Sequence, residues 1–97
     1  MLAPETTAQI RHVINEVLGE GMRVIVYGAQ IQRKQTKSNK LELLLLNEVP
    51  VGEQKMARLH DVFRASGMEY EVEVTDACTI KKSFVRAICE HEHVEVP

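Results

Sequence analysis

The stretch from Tyr27 to Leu46, YGAQIQRKQTKSNKLELLLL, holds the residues whose types and spacing bear on chemistry. A glycine closes an apolar run, a basic polar loop follows, and a second apolar run opens on Lys40-Leu41-Glu42. Side chains two positions apart on a strand point the same way, so Lys40 and Glu42 share a face. Glu73, in the later stretch YEVEVTD, reaches them if its strand pairs beside the second. Magnesium binds through carboxylates together with substrate phosphates, and two-metal transfer needs several carboxylates close together. Side chains converging from two neighbouring strands on a glycine turn therefore suit a phosphate-and-metal site. Arg33, Lys34, Lys37 and Lys40 make the loop basic, with no acid between Gly28 and Leu41. Such a loop suits a nucleotide phosphate, RNA or an acidic protein surface, or is simply solvated. No aromatics are interleaved for base stacking, which argues against single-stranded RNA.

The elements that must position these residues follow from hydrophobic periodicity. Ile10, Val13, Ile14, Val17 and Leu18 recur at helical spacing and predict a helix over 5–18. Thr6 and Gln9 have capping-box spacing, and Gly19 and Gly21 stop the helix. Met22 to Tyr27 reads as a buried strand, 28–39 as a loop or a poor helical turn, and Leu41 to Leu46 as a second strand. A second helix spans 53–66, with Met56, Leu59, Val62 and Phe63 inward and Gly67 as its cap. Residues 69–75 alternate, with Tyr70, Val72 and Val74 on one face and Glu71, Glu73 and Thr75 on the other. A third helix spans 79–90 with Ile80, Phe84, Ala87 and Ile88 inward, and 93–96 adds a last short strand. The expected fold is α/β in the α+β sense: one domain over 1–97, a small mixed sheet of three to four strands backed by three helices.

Bulk properties agree with a small globular domain. The chain has 97 residues, enough for one modest core, and with aromatics at 4% and no Trp that core must be aliphatic. A net charge of −2 means that anion binding has to come from a local patch. The opening MLAPETTAQI lacks a basic start and a long apolar centre, and the apolar run Leu43 to Leu46 is too short to span a membrane. The expected compartment is the cytoplasm, with Cys78 and Cys89 reduced. Cys89, His91 and His93 are zinc-ligand types, but their spacing fits no common finger. His12 and His60 fall on helices and read as surface residues.

The central stretch resembles the minimal nucleotidyltransferases of the polymerase-beta superfamily. Their signature is Gly-Ser, ten intervening residues, then Asp-x-Asp at the start of a strand. Here Gly28-Ala29 is followed by ten residues, Gln30 to Asn39, and then Lys40-Leu41-Glu42. A third family carboxylate sits in text similar to YEVEVTD, which places Glu73 there and keeps Asp76. The resemblance runs from about Ile10 to Val96, and the order of elements agrees with it. It implies a nucleotidyltransferase-like fold, with Glu42 and Glu73 at remnant catalytic positions. It places Gly28, Ala29, Arg33, Lys34 and Lys37 around a nucleotide.

The departures from the pattern change the expected chemistry. Ala29 replaces the motif serine, Arg33 a common glycine, and Lys40 the first metal-binding aspartate. An ammonium has three donors and no lone pair to offer a metal. The expectation is that Lys40 supplies in cis the charge that magnesium supplies in active relatives, so no cofactor and no metal are expected. The domain is then a pseudoenzyme acting by binding or regulation. Relatives of this kind are often encoded with an all-helical HEPN-type ribonuclease, to which the nucleotidyltransferase is antitoxin or regulatory subunit. Two other readings stay open. In one, Glu42 and Glu73 hold a magnesium ion, Asp76 or a substrate phosphate completes the shell, and a nucleotidyl group moves from ATP to a protein or small acceptor. In the other, nucleotide binds without metal or chemistry. Lys40 and Glu42 equally read as a solvated edge-strand pair. A homodimer through the short last strand and an exposed edge of the second strand is a further expectation.

Overall fold

The computed structural model describes residues 2–31 and 38–97. Among these residues seven elements follow in chain order: α1 (Pro4–Leu18), β1 (Arg23–Tyr27), β2 (Lys40–Leu46), α2 (Glu53–Ala65), β3 (Glu71–Asp76), α3 (Lys82–Glu90) and β4 (His93–Glu95). A 3-10 turn, Ala77–Thr79, joins β3 to the approach to α3. The four strands form one mixed sheet in the order β3-β2-β1-β4. β1 runs antiparallel to both β2 and β4, and β2 runs parallel to β3. The expected α+β fold with a mixed sheet and three helices is the fold observed.

Alternation along the strands decides what each face of the sheet packs against. Val24 and Val26 of β1, Leu41, Leu43 and Leu45 of β2, and Val74 of β3 point to one face. There they meet Ile10, Val13, Ile14 and Val17 of α1 and Leu59 and Phe63 of α2. This is the aliphatic core that the composition required. Met56 and Val62 pack at its margin, half-buried. The second face carries Ile25 and Leu44, both fully buried yet outside that cluster. α3 lies over this face, since Val85 shares a cavity wall with Leu46 and Ile88 shares one with Tyr27.

Several local details depart from the sequence expectations. α1 begins at Pro4 with Ala3 as N-cap and no side-chain cap, so Thr6 and Gln9 form no capping box. Proline at the first helical position has no N–H to cap, which removes one donor that the box would have satisfied. Gln9 instead donates to the Ser66 carbonyl at 3.2 Å, tying α1 to the end of α2. α3 starts at Lys82 rather than residue 79, because the 3-10 turn occupies that span. Phe84, expected inward, is 60% exposed, Ala87 is exposed and Ile80 precedes the helix. β2 is an interior strand, so among the described residues the open edges are those of β3 and β4. The edge pairing expected of β2 is unavailable because β1 and β3 already hold both its sides.

Two side chains fasten the ends of the chain path. Arg11 of α1 donates to the carbonyls of Met22 at 2.8 Å, Val96 at 3.1 Å and Pro97 at 3.0 Å. It thus binds the entry to β1 and the exit of β4 to one helix. Asp76, 2% exposed, closes the other end of the sheet. Its carboxylate accepts from Val51 N–H at 2.8 Å and from Cys78 N–H at 2.9 Å, and its carbonyl accepts from the Thr79 hydroxyl at 2.7 Å.

The short β4 is held to β1 by a two-pronged ion pair. Arg23 donates to both carboxylate oxygens of Glu95, at 2.8 and 3.1 Å. The hydrogen bond from Arg23 lowers the Glu95 pKa below its ordinary value. A depressed carboxyl contributes stability above its unfolded pKa and loses it as pH falls through the folded one. The protection factor of the Val94 amide, with its intrinsic pH dependence divided out, is therefore expected to fall on acidification below the ordinary glutamate range, ahead of protection in β2. Arg23→Gln removes that difference, which hydrogen exchange read by NMR checks.

Candidate functional site

The register of the sheet builds the site. Tyr27 lies opposite Glu42, Glu42 beside Glu73, and Tyr27 beside His93. Glu73, Glu42, Tyr27 and His93 thus form one row across all four strands, on the face that α3 covers elsewhere. One row further out, Lys40 lies beside Glu71. Parallel pairing of β2 and β3 makes this alignment, because both strands run the same way from the same end of the sheet. Lys40, Glu42 and Glu73 are brought together as their spacing predicts.

The Lys40 ammonium lies 3.2 Å from a carboxylate oxygen of Glu73. Its pKa is raised, first by the hydrogen bond and charge of Glu73, then by Glu71 and, more weakly, Glu42. Lys40 and Glu73 side chains are 53% and 48% exposed, so water screens the pair and it adds little to folding. Its significance is positional: a cation tethered to β2 lies against the Glu73 carboxylate and within the field of Glu71 and Glu42. Glu71 is the acid that sequence reasoning left out of the site. Its signal was present, since the alternation already placed it on the face of Glu73.

Tyr27 is the second residue that the sequence did not single out. Burial raises its pKa, opposed by a hydrogen bond with Thr75 and reinforced by the charges of Glu42 and Glu73. The phenol therefore stays protonated at neutral pH and serves as a hydrogen-bonding group. Nothing in the run MRVIVY distinguished it from an ordinary strand-end tyrosine; only the register shows its place beside Glu42.

Gly28 turns the chain directly above Glu42. Its φ is +85°, and its carbonyl accepts from Ile31 N–H at 3.0 Å. A Cβ built there would lie 1.9 Å from a Glu42 carboxylate oxygen. The glycine is therefore favoured by its backbone angle, and a side chain there would displace the Glu42 carboxylate from its present place. Gly28→Ala is expected to cost about 1–2 kcal/mol from the backbone alone and to push the Glu42 carboxylate out of the row. Urea unfolding measures the first effect, and the side-chain resonance of Glu42 reports the second. Ala29 follows, half-buried, with only a methyl group where the resembling family carries a hydroxyl. Arg33, Lys34 and Lys37 lie outside the described residues. A small cleft of about 190 Å³ continues the site toward α3, lined by Tyr27, Gly28, Ala87, Ile88, His91 and Glu92.

The donor set does not fit a magnesium ion. A divalent cation needs several oxygens turned to one point. Here a lysine nitrogen, which has no lone pair to offer, lies 3.2 Å from a Glu73 oxygen. Among the described residues no group of three or more His, Cys, Asp or Glu side chains is placed to hold a metal. Asp76 does not complete a shell with Glu42 and Glu73. It points to the opposite face of β3, and both its carboxylate oxygens accept backbone N–H groups. His91 and His93 each turn Nδ1 to a backbone carbonyl, of Ala87 and His91 respectively, and do not converge with Cys89 on one point.

The other reactive side chains among the described residues carry no catalytic arrangement. The Cys78 thiol donates to the Asn47 carbonyl at 3.2 Å. Desolvation first, then the Asp76 carboxylate, hold its pKa above the ordinary thiol value, which keeps it un-ionised and a poor nucleophile. His60, expected on the surface, is half-buried: Nδ1 faces the Met56 carbonyl at 2.9 Å while Nε2 accepts from Val74 N–H at 3.3 Å. No helix among the described residues is long and apolar enough to cross a membrane. No family model matches the chain, and no curated protein matches it.

Proposed function

We propose that this chain is a non-catalytic binding or regulatory module built on a nucleotidyltransferase-like frame, with Lys40 standing where active relatives would seat a metal. The observation that carries the reading is the 3.2 Å contact between the Lys40 ammonium and Glu73, in the row that also holds Glu42 under Gly28. A glycine turn after β1, a carboxylate at the start of β2 and another beside it on β3 give the outline of a phosphate-transfer cradle. Part of the negative charge within it is already offset by a tethered cation. Such a cradle can present its shape and basic loop to a partner, and the resemblance implies an antitoxin-like role toward a helical HEPN-type protein.

Calorimetric titration with ATP, with and without magnesium, tests this reading. The expected result is binding that magnesium does not enhance, or no binding in either condition. Metal-independent binding assigns the cradle to phosphate recognition, and absence of binding assigns the module to protein contacts alone. Binding that strengthens tenfold or more with magnesium, about 1.4 kcal/mol, or nucleotidyl transfer to any acceptor, overturns the reading.

A further inference from the structure

The outer edge of β3 carries a feature that the cradle does not use. A groove of about 410 Å³ runs along this edge, between β3 and the side chains of α2. Its walls are unlike. Phe63, Met68 and Val72 line the side toward the core, while Glu69, Glu71 and Glu73 line the other. The cation of α2 that also lines it, Arg64, is paired with Asp61 at 3.3 Å. β3 has no neighbouring strand on this side among the described residues. Glu71 donates its N–H inward to the Asn39 carbonyl at 3.0 Å, and Val74 donates outward to His60. Backbone groups alternate in direction along a strand, so the N–H and carbonyl of Val72 face out into the groove. His60 closes the edge at Val74 and leaves it open at Val72.

We infer that this edge takes an extended segment of another protein as a fifth strand, one that alternates basic and apolar residues. Backbone pairing at Val72 supplies the register. On an added strand, every second side chain faces Glu71 and Glu73, and the others face Phe63 and Val72. Charge selects the occupant. A second copy of this chain paired through β3 sets Glu71 and Glu73 against their own equivalents, and like charges across strands repel. Lysine or arginine at alternate positions turns the same carboxylates into attractions. A basic side chain on the added strand also competes with Lys40 for Glu73, which couples the edge to the cradle. The edge does not depend on the nucleotidyltransferase-like reading, since it rests on β3 and α2 alone.

The test uses a short acetylated and amidated peptide of alternating lysine and valine, titrated into the full chain and followed by amide shifts and hydrogen exchange. Shifts centred on Tyr70 to Val74 and slowed exchange at Val72 are expected. Reversing both charges, Glu71→Lys with Glu73→Lys, changes exposed side chains and breaks the Lys40–Glu73 pair, and is expected to weaken binding roughly tenfold or more, whereas Lys40→Gln, which breaks the pair alone, is expected to leave binding no weaker. Val72→Pro removes the outward N–H at an edge position where proline is tolerated, and is expected to abolish the peptide-induced shifts at Glu71 and Glu73. The same peptide N-methylated at alternate amides is expected not to bind. No shift up to about 1 mM peptide, shifts centred away from β3, equal binding by the charge-reversed variant, or dimerisation of the free chain through β3 each overturns the inference.

Discussion

Asp76→Ala is expected to lower the stability of the fold more than any polar substitution within the cradle. The side chain is 2% exposed, and its two oxygens accept the N–H groups of Val51 and Cys78. Hydrogen bonds to a charged acceptor contribute about 1.5–3 kcal/mol each, and removing the acceptor leaves the donors unsatisfied. A loss of about 3 kcal/mol follows, a drop in Tm of roughly 12–24 °C for a domain of this size. Asp76→Asn keeps the shape but presents an amide N–H₂ where an acceptor is needed, so it recovers at most about half of the loss. Urea and thermal unfolding of the three proteins decide the matter. A loss under about 1 kcal/mol for the alanine variant means the donors find other partners. The same experiment tests the separation of roles along β3, because a structural Asp76 leaves the Lys40–Glu73 pair untouched.

Lys40→Asp is the second substitution of large expected effect, and it changes chemistry rather than packing. It removes the cation and adds a carboxylate near Glu42, Glu71 and Glu73. Without the opposing cation, the variant is less stable than the parent in the absence of divalent ions, and magnesium relieves the repulsion. A dissociation constant on the order of millimolar is expected for a site of clustered carboxylates without phosphate. At tenfold excess over that constant, linkage stabilises the variant by about 1.4 kcal/mol, roughly 6–10 °C in Tm. The parent protein is expected to show no such gain, so the contrast between the two melting curves is the measurement. Equal responses to magnesium in both proteins mean that Lys40 does not stand in a metal's place. Lys40→Gln separates charge removal from ligand gain, since it deletes the ammonium without adding an acid.

The frame of the protein was legible in the sequence because its strands and first two helices carry unambiguous periods. Leu41 to Leu46 and the alternation of Tyr70 to Thr75 placed the faces of β2 and β3, and Gly19 and Gly67 marked helix ends. Strand phase put Lys40 and Glu42 on one face, and Glu73 joined them only on the condition that its strand pairs beside β2. What escaped was set by context outside each motif, some of it near and some far along the chain. Thr6 has the type and spacing of a cap residue, but Pro4 begins the helix two positions earlier. Phe84 has helical phase with Ile88, yet α3 is short and covers one face of a narrow sheet, so one flank stays in water. Asp76 looked like a spare ligand because a sequence does not reveal which carboxylates backbone donors already engage. Tyr27 and Glu71 entered the site through pairing register, a property of two strands at once.

The parallel alignment of β2 with β3 has a consequence for how such a protein can change. Sliding β3 by one position would turn Val72 and Val74 out to water and drive Glu71 and Glu73 among the leucines. That exchange is too costly to occur, so the distance from Lys40 to Glu73 is dictated by the hydrophobic interior and not by anything the cradle does. Amino-acid replacement at the rim can rewrite the chemistry there, while the interior holds the outline fixed through every rewrite.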